Sequence, residues 1–437
     1  MKTALPSLLL TVLMLDTLHA GPNPKPSRNE QTVQTIESSS TAPAVSGWEL
    51  TGNAGTVSGI AGSSTAGINF IGTTDAENLE VRLDNSTSTF FRFTQDGVLE
   101  FINPNSNIFL GLSAGLGNVA GENVAIGNSA LSSNNSGGSN TAVGSSSMLL
   151  NEGGSQNCAF GQSALLFNRS GNNNVSIGYF SLRSNQNSDS TAIGTNSLQS
   201  NFEGEQNTAI GSQTLVVNVS GSSNTCVGYQ SMFNDITGLQ NTAIGAQTLN
   251  TNISGTNITC VGYGADVAID GLDNASAFGN GAIVSGSNQI VIGNSSILSI
   301  GGFANWSNFS DGEYKTAVQE NVSGLAFIKK LRPVTYQLDM EKLATLTHSS
   351  EKCHSKTNES MQGHIVKTGL IAQEVESAAL DVGYDFDGVV KPQHENDHYR
   401  LTYSSFVVPL IKAVQEQQAM IEALQKEIEI LKKDRSN

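Results

Sequence analysis

A serine hydroxyl becomes a useful nucleophile when a nearby amine can take its proton, and serine paired with lysine is a working variant of the serine triad. Ser310 and Lys315 stand five positions apart in the stretch Asn308-Phe309-Ser310-Asp311-Gly312-Glu313-Tyr314-Lys315. On a continuous helix, steps of roughly 100° would set the two side chains about 140° apart. They can meet only if Ser310 lies on the incoming chain, with Asp311-Gly312 turning and Lys315 in the first turn of a helix running through Ile328. The same residues have a plainer reading: Ser310-x-x-Glu313 fits a capping box, in which the serine satisfies the free N–H groups at a helix start. Spacing alone favours the cap.

This stretch separates two kinds of sequence. Asn/Gly/Ser-rich repeats precede it, and about 120 residues rich in Lys, Glu, Leu and Ile follow it. Of 22 basic residues, 15 lie in 310–437, leaving six between Gly21 and Phe309 against 18 acids. Nucleic-acid binding needs a Lys/Arg footprint to displace counterions, and the repeats offer only Arg169 and Arg183. Nucleic acid and anionic membrane surfaces are therefore poor partners, and neither is expected.

Residues 1–20 read as a signal peptide, with Lys2, an apolar run from Leu8 to Leu15, and Ala20 before Gly21. That run is too short to span a bilayer, so no membrane span is expected after signal removal. A flexible Ser/Thr/Pro-rich linker is expected over 21–46 and a β-rich shaft over 47–105, where Leu79-Glu80-Val81-Arg82-Leu83 and Phe90-Phe91-Arg92-Phe93 alternate. The cysteines, Cys158, Cys226, Cys260 and Cys353, show neither C-x-x-C spacing nor histidine pairing, so neither a metal nor a cofactor is expected.

The strongest periodicity lies in 106–300. The glycines of Ala-Ile-Gly-like triplets fall at Gly111, Gly127, Gly144, Gly161, Gly178, Gly194, Gly211, Gly228, Gly245, Gly262, Gly279 and Gly293, in steps of 17 with two of 16 and a last of 14. A short fixed period with small apolar clusters joined by Asn/Gly turns predicts a coiled parallel β-solenoid or β-roll, one turn per repeat. Two columns are expected to fill a thin core. One runs through Ile126, Val143, Phe160, Ile177, Ile193, Ile210, Val227, Ile244, Val261 and Phe278; the other through Leu131, Met148, Leu165, Leu182, Leu198, Leu215, Met232 and Leu249. Asparagine columns are expected as internal ladders, and Cys226 and Cys260, two rungs or roughly 10 Å apart, as unbridged thiols.

Past the junction, a domain over 301–404 is expected to hold an amphipathic helix from Val318 to Leu331, a strand from Val334 to Leu338, a polar insert with His348, Cys353 and His354, and a helix from Gly369 to Ala379. Over 405–437, Val407, Val414, Ile421 and Ile428 fall seven apart, interleaved with Leu410, Gln417, Leu424 and Leu431, as in a coiled-coil seam.

Ser310-Asp311-x-x-x-Lys315, Leu331-Arg332-Pro333-Val334-Thr335-Tyr336, Gly369-Leu370-Ile371-Ala372-Gln373-Glu374-Val375-Glu376 and the terminal heptads, in that order, resemble the self-cleaving intramolecular chaperone domain of bacteriophage endosialidases and tail fibres. The resemblance implies a homotrimer, folding assistance to the fibre upstream, Ser310 as nucleophile, Lys315 as general base, and a scissile bond Phe309–Ser310; burial is expected to hold the Lys315 amine neutral for that role. One position departs from the pattern: the family often has arginine where this chain has Glu313. The repeats, in turn, resemble the heads of trimeric autotransporter adhesins, β-rolls in which three chains share a core.

The expected molecule is mainly β: a β-solenoid rod followed by a small α+β chaperone domain and a coiled-coil helix. Its expected role is that of a secreted, cell-surface or virion fibre subunit that partners itself and releases its chaperone by Ser-Lys autoproteolysis, with any cell-surface or glycan ligand unspecified. The alternative is a structural adhesin whose C-terminal domain only trimerises. Action on an external glycan is disfavoured, because the repeats lack the paired carboxylates a glycosidase needs.

Overall fold

Three antiparallel strands, Leu79–Arg82, Phe90–Phe93 and Leu99–Ile102, lead into the rod. Their register sets Arg92 between Glu80 and Glu100, and the guanidinium bonds both carboxylates, at 2.9 and 3.4 Å. In this computed structural model the described residues are 78–82, 90–346, 363–395 and 397–435. The expected signal peptide, linker and first part of the shaft lie outside them, as do His348, Cys353 and His354.

From Ile108 to Ile292 the chain coils into a solenoid whose sheet has 12 parallel strands, each pairing with the strand one repeat away. Thr208-Ala209-Ile210, for example, pairs with Thr225-Cys226-Val227, and that strand with Thr242-Ala243-Ile244. Cys226 and Cys260 occupy one column with Ala243 between them, and both thiols are buried and free.

The core differs from expectation in one column. Alternate residues of a strand point to opposite faces, so only the middle side chain of each three-residue strand turns inward. Ala125, Ala142, Ala159, Ala192, Ala209, Cys226, Ala243, Cys260 and Ala277 are fully buried, whereas Ile126, Phe160, Ile177, Ile210 and Ile244 are 37–57% exposed. The isoleucine column thus lines the outside. Apolarity by itself did not reveal which member of each triplet the pleat turns inward.

The second column is internal as expected, and backbone geometry explains its composition. Gly211 adopts φ +136°, and the chain then passes through the left-handed region at Gln213 (57°) and Leu215 (50°). That conformation is hardest on β-branched side chains. Every residue in this column is Leu or Met, all eight with positive φ and complete burial. The core closes within one chain, where the resemblance to adhesin heads implied one shared among three.

Asparagines line the opposite wall. In one column the Asn123 side-chain oxygen accepts from the Asn140 N–H at 2.9 Å, and Asn140 from Asn157 at 3.0 Å. In the other, Asn151 donates its amide to Asn134 at 2.7 Å, and Asn168 to Asn151 at 2.8 Å. These side chains satisfy buried backbone groups at the corners, as buried polar groups must be satisfied. Asn134, Asn168, Asn174, Asn218 and Asn252, each of which begins an Asn-x-Ser glycosylation sequon, are all fully buried in these columns.

The C-terminal domain packs α1 (Leu325–Ile328), α2 (Met340–Leu346), α3 (Ala372–Asp381) and α4 (Val407–Asp434) with two short hairpin pairings. Its core joins Phe327, Val375, Ala378, Ala379, Phe386 and Phe406, with ring centroids 5.0 Å apart for Phe327–Phe386 and 4.7 Å for Phe386–Phe406. The helix expected from Val318 to Leu331 is only α1. Gly324 breaks it with φ −94° and ψ −106°, and sits so close to α4 that a Cβ would lie 2.9 Å from the Ala413 nitrogen. Glu416 of α4 then accepts the Leu325 N–H at 2.7 Å, doing for α1 what a local cap would do. From Val414 onward the seam side chains Ile421, Leu424, Ile428 and Leu431 are exposed by 48–62%, Val414 included. Among the described residues no helix is long and apolar enough to cross a membrane.

Candidate functional site

Between the solenoid and α1 the only regular element is one 3-10 turn, Gly312–Tyr314, and residues 297–321 are all exposed. Asp311 opens the turn in an extended conformation, φ −67° and ψ 135°, and its carboxylate accepts the Glu313 N–H at 3.0 Å. The expected capping box from Ser310 to Glu313 is therefore absent; the cap is the next residue along. That leaves the Ser310 hydroxyl uncommitted to backbone.

Tyr314 and Lys315 donate their N–H groups back to Asp311 and Gly312, at 3.2 and 3.1 Å. The turn brings Lys315 round so that its Nζ donates to Ser310 Oγ at 2.7 Å. Lys315 does not lie in the first turn of a helix, where it was expected, but closes the 3-10 turn in an extended conformation, φ −97° and ψ 124°. A five-residue spacing that could not close on a helix closes here because one tight turn reverses the chain.

Both side chains, with Phe309 and Glu313, are exposed. The burial expected to hold Lys315 as a neutral amine is not supplied by this chain alone. Among the described residues no three His, Cys, Asp or Glu side chains converge as a metal would require.

The separated motifs downstream meet in space. Strand Val334–Tyr336 pairs antiparallel with Lys367–Gly369, setting Val334 against Gly369. Arg332 forms a two-pronged ion pair with Glu374 of α3, its Nε donating at 3.0 Å. Gly369 abuts the Tyr336 and Tyr403 rings, and the Tyr403 hydroxyl accepts the Leu370 N–H at 3.0 Å. Glu376 takes different partners, Lys391 at 2.6 Å and the Tyr399 hydroxyl at 2.9 Å. Glu374 and Glu376 are thus each committed to an ion pair rather than to each other, as their spacing on α3 predicts.

Residues 310–384 match the family model described as chaperone of endosialidase. The match begins at Ser310 itself, and takes in the serine–lysine turn, α1 and α3. A search of curated proteins returns no match to the chain. The chaperone match is preceded by a parallel β-solenoid rod, so the two parts distinguished by composition are also two kinds of structure.

One polar group of the C-terminal domain went unnoticed in the sequence. Asp397, His394 and Arg400 gather on Ser285 of the last solenoid turn. Serine, histidine and aspartate are all present, but His394 Nε2 meets the Ser285 backbone carbonyl, and Asp397 meets its hydroxyl, so no proton relay runs through the histidine.

Proposed function

We propose that the protein is a fibre-like subunit, extracellular or on a virion, whose C-terminal domain assembles three chains and then severs its covalent link to the rod by cutting the Phe309–Ser310 bond. The observation that carries the chemistry is the 2.7 Å contact from Lys315 Nζ to Ser310 Oγ, at the first residue of the chaperone match. Self-association is supported by two exposed apolar lines that one chain leaves uncovered, the outward isoleucine column and the seam of α4. Pairing many rungs in register between chains is slow and non-local. A C-terminal clamp raises the local concentration of the rods it joins.

In the reaction Lys315 takes the Ser310 proton, and Oγ attacks the Phe309 carbonyl carbon. The C–N bond breaks as the nitrogen takes a proton back from the Lys315 ammonium, leaving an ester from Phe309 to Ser310 Oγ and a free Ser310 amine. Water then hydrolyses the ester, returning the serine hydroxyl and a Phe309 carboxylic acid. Apposition of neighbouring chains would supply the dry surroundings in which an amine acts as a base. The test is a denaturing gel with N-terminal sequencing: the wild type yields a fragment of 128 residues beginning at Ser310, and Ser310→Ala and Lys315→Ala stay whole. The same fragment from Ser310→Ala would exclude the mechanism.

A second reading, a non-cleaving adhesin whose C-terminal domain only trimerises, is favoured by the exposure of Ser310 and Lys315 and by Glu313 beside them. Identical intact chains from wild type and Lys315→Ala would establish it.

A further inference from the structure

The solenoid's last turn is covered by the domain that follows it. Strand pair Asp266–Val267 and Ile283–Val284 delivers Ser285 to the rod end, and residues 285–289 lead on to the last strand, Ile290–Ile292. Against this turn lies the loop before strand Arg400–Leu401, itself paired with Val389–Val390. Asp397 is at the centre, its side chain wholly covered. Oδ1 accepts from the Ser285 hydroxyl at 2.9 Å, the Arg400 guanidinium at 2.7 Å and the His398 N–H at 2.8 Å. Oδ2 accepts from the Gln393 N–H at 3.0 Å and the Gln289 amide at 3.4 Å. Around it, Arg400 reaches the Ser285 hydroxyl at 2.6 Å, Gln393 donates to the Ser287 carbonyl at 3.2 Å, and His394 meets the Ser285 carbonyl.

A buried carboxylate is tolerable only when its charge and lone pairs are matched. Here three donors come from the C-terminal domain and two from the rod. The rod's share exists in the right places only when residues 285–289 have folded as a turn, since Ser285, Ser287 and Gln289 must present a hydroxyl, two carbonyls and an amide together. The covalent connection is of another kind. Leu298, Ile300, Phe303, Trp306 and Phe309 are all at least 63% exposed, so the segment joining rod to domain packs on neither.

We infer that Gln393, His394, Asp397 and Arg400 form a docking site for the folded last turn of the solenoid, Ser285–Gln289, and that this polar latch keeps the C-terminal domain on the rod end after the Phe309–Ser310 bond is cut. The consequence for release rests on the cleavage reading above; the docking site does not. Cutting severs an exposed tether and leaves every contact around Asp397 in place. Separation of the products is then a second step, distinct from bond breaking.

The test pairs a denaturing gel, which reports cutting, with size exclusion at physiological salt, which reports association, on the full chain and its Asp397→Ala, Ser285→Ala and Gln289→Ala variants. For a cut wild type, the 310–437 fragment is expected to travel with the rod, and its retained share to fall at least tenfold in Asp397→Ala. Ser285→Ala and Gln289→Ala alter only the rod side, so they report on the latch if Asp397→Ala fails to fold. A fragment that elutes free from wild type, or is retained equally by all three variants, overturns the proposal. Should the gel show the chain uncut, the cleavage reading fails while the latch is read by hydrogen exchange. Slow exchange over 285–289 that is lost in Asp397→Ala supports it, and exchange unchanged by the substitution sinks it.

Discussion

The side-chain oxygen of Asn218 has no hydrogen-bond donor, and the residue one rung above it, where the ladder otherwise places asparagine, is Asp235. Elsewhere in this column amides donate to the residue one repeat earlier, as Asn218 does to Asn201 and Asn252 to Asp235, both at 2.6 Å; Asn185 departs from this, turning to the Asn187 carbonyl and leaving the Asn168 oxygen without a donor as well. A carboxylate has nothing to donate, so the ladder is interrupted unless Asp235 carries a proton.

Burial pushes the Asp235 carboxyl up to about 7, with Asp270 adding to the rise and hydrogen bonds from Asn252 and the Gly238 N–H opposing it. The folded value lies above the ordinary 3.8, so the contribution to stability is full below about pH 4 and is lost as pH rises towards 7. Asp235→Asn should complete the ladder and remove this slope. The melting temperature of the wild type should fall relative to the variant between pH 5 and pH 8, with a difference on the order of 2–4 kcal/mol at pH 8.

The latch carboxylate has the opposite sign. Burial pushes Asp397 up, but the Gln393 and His398 N–H groups, the Ser285 hydroxyl and the Arg400 charge outweigh it and hold it at about 2. Its contribution is present above the ordinary 3.8 and lost as pH falls towards 2. Other ionisable groups facing it are His394, His398 and Arg400. Hydrogen exchange over 285–289 should quicken between pH 4 and pH 2.5 in wild type more than in Asp397→Asn.

The two apolar columns should respond differently. Leu215→Ala opens a void in a fully buried site and should cost about 2–5 kcal/mol of rod stability. Ile210→Ala, five residues earlier and 37% exposed, should cost little within one chain and instead weaken association, read as a shift in the sedimentation profile. Equal losses of thermal stability, with association unchanged, would return the isoleucine column to the core.

Gly161 combines φ +137° with a neighbour so close that a Cβ would lie 2.5 Å from the Gly178 carbonyl oxygen. Gly161→Ala should therefore cost at least about 2–3 kcal/mol, from backbone strain and a spread rung together. Circular dichroism on heating measures it, with Ser136→Ala at an exposed loop position as comparison.

Asp311 positions the lysine through the turn it caps. Losing such a cap typically costs about 0.5–2 kcal/mol, which should slow fragment formation roughly 2- to 30-fold in Asp311→Ala if turn geometry limits the rate. Asp311→Asn, which keeps a side-chain acceptor, should restore most of it.

Glycine spacing made the rungs legible because a backbone conformation repeated at each turn admits few other residues, and the heptad made α4 legible for a similar reason. Orientation within the strand was harder. Alanine and isoleucine stand side by side in each triplet, and the larger residue draws attention although the narrow tube has room only for the smaller. The pairing of Ser310 with Lys315 was recognisable by family likeness; that Asp311 rather than Ser310 would cap the turn was not, since both are good caps at adjacent positions. Asp397 gave no sign at all, because its partner Ser285 lies 112 positions away and neither belongs to a motif.

Apart from breaks such as that at Asp235, each rung offers the next much the same donors, acceptors and side-chain shapes, so the stack has no preferred number of layers. Twelve strands at about 4.8 Å make a sheet about 50 Å tall. Inserting or removing one 17-residue unit changes that height by a single layer and leaves both ends as they were. Reach is thereby set by counting, like links in a chain, independently of whatever the two termini hold.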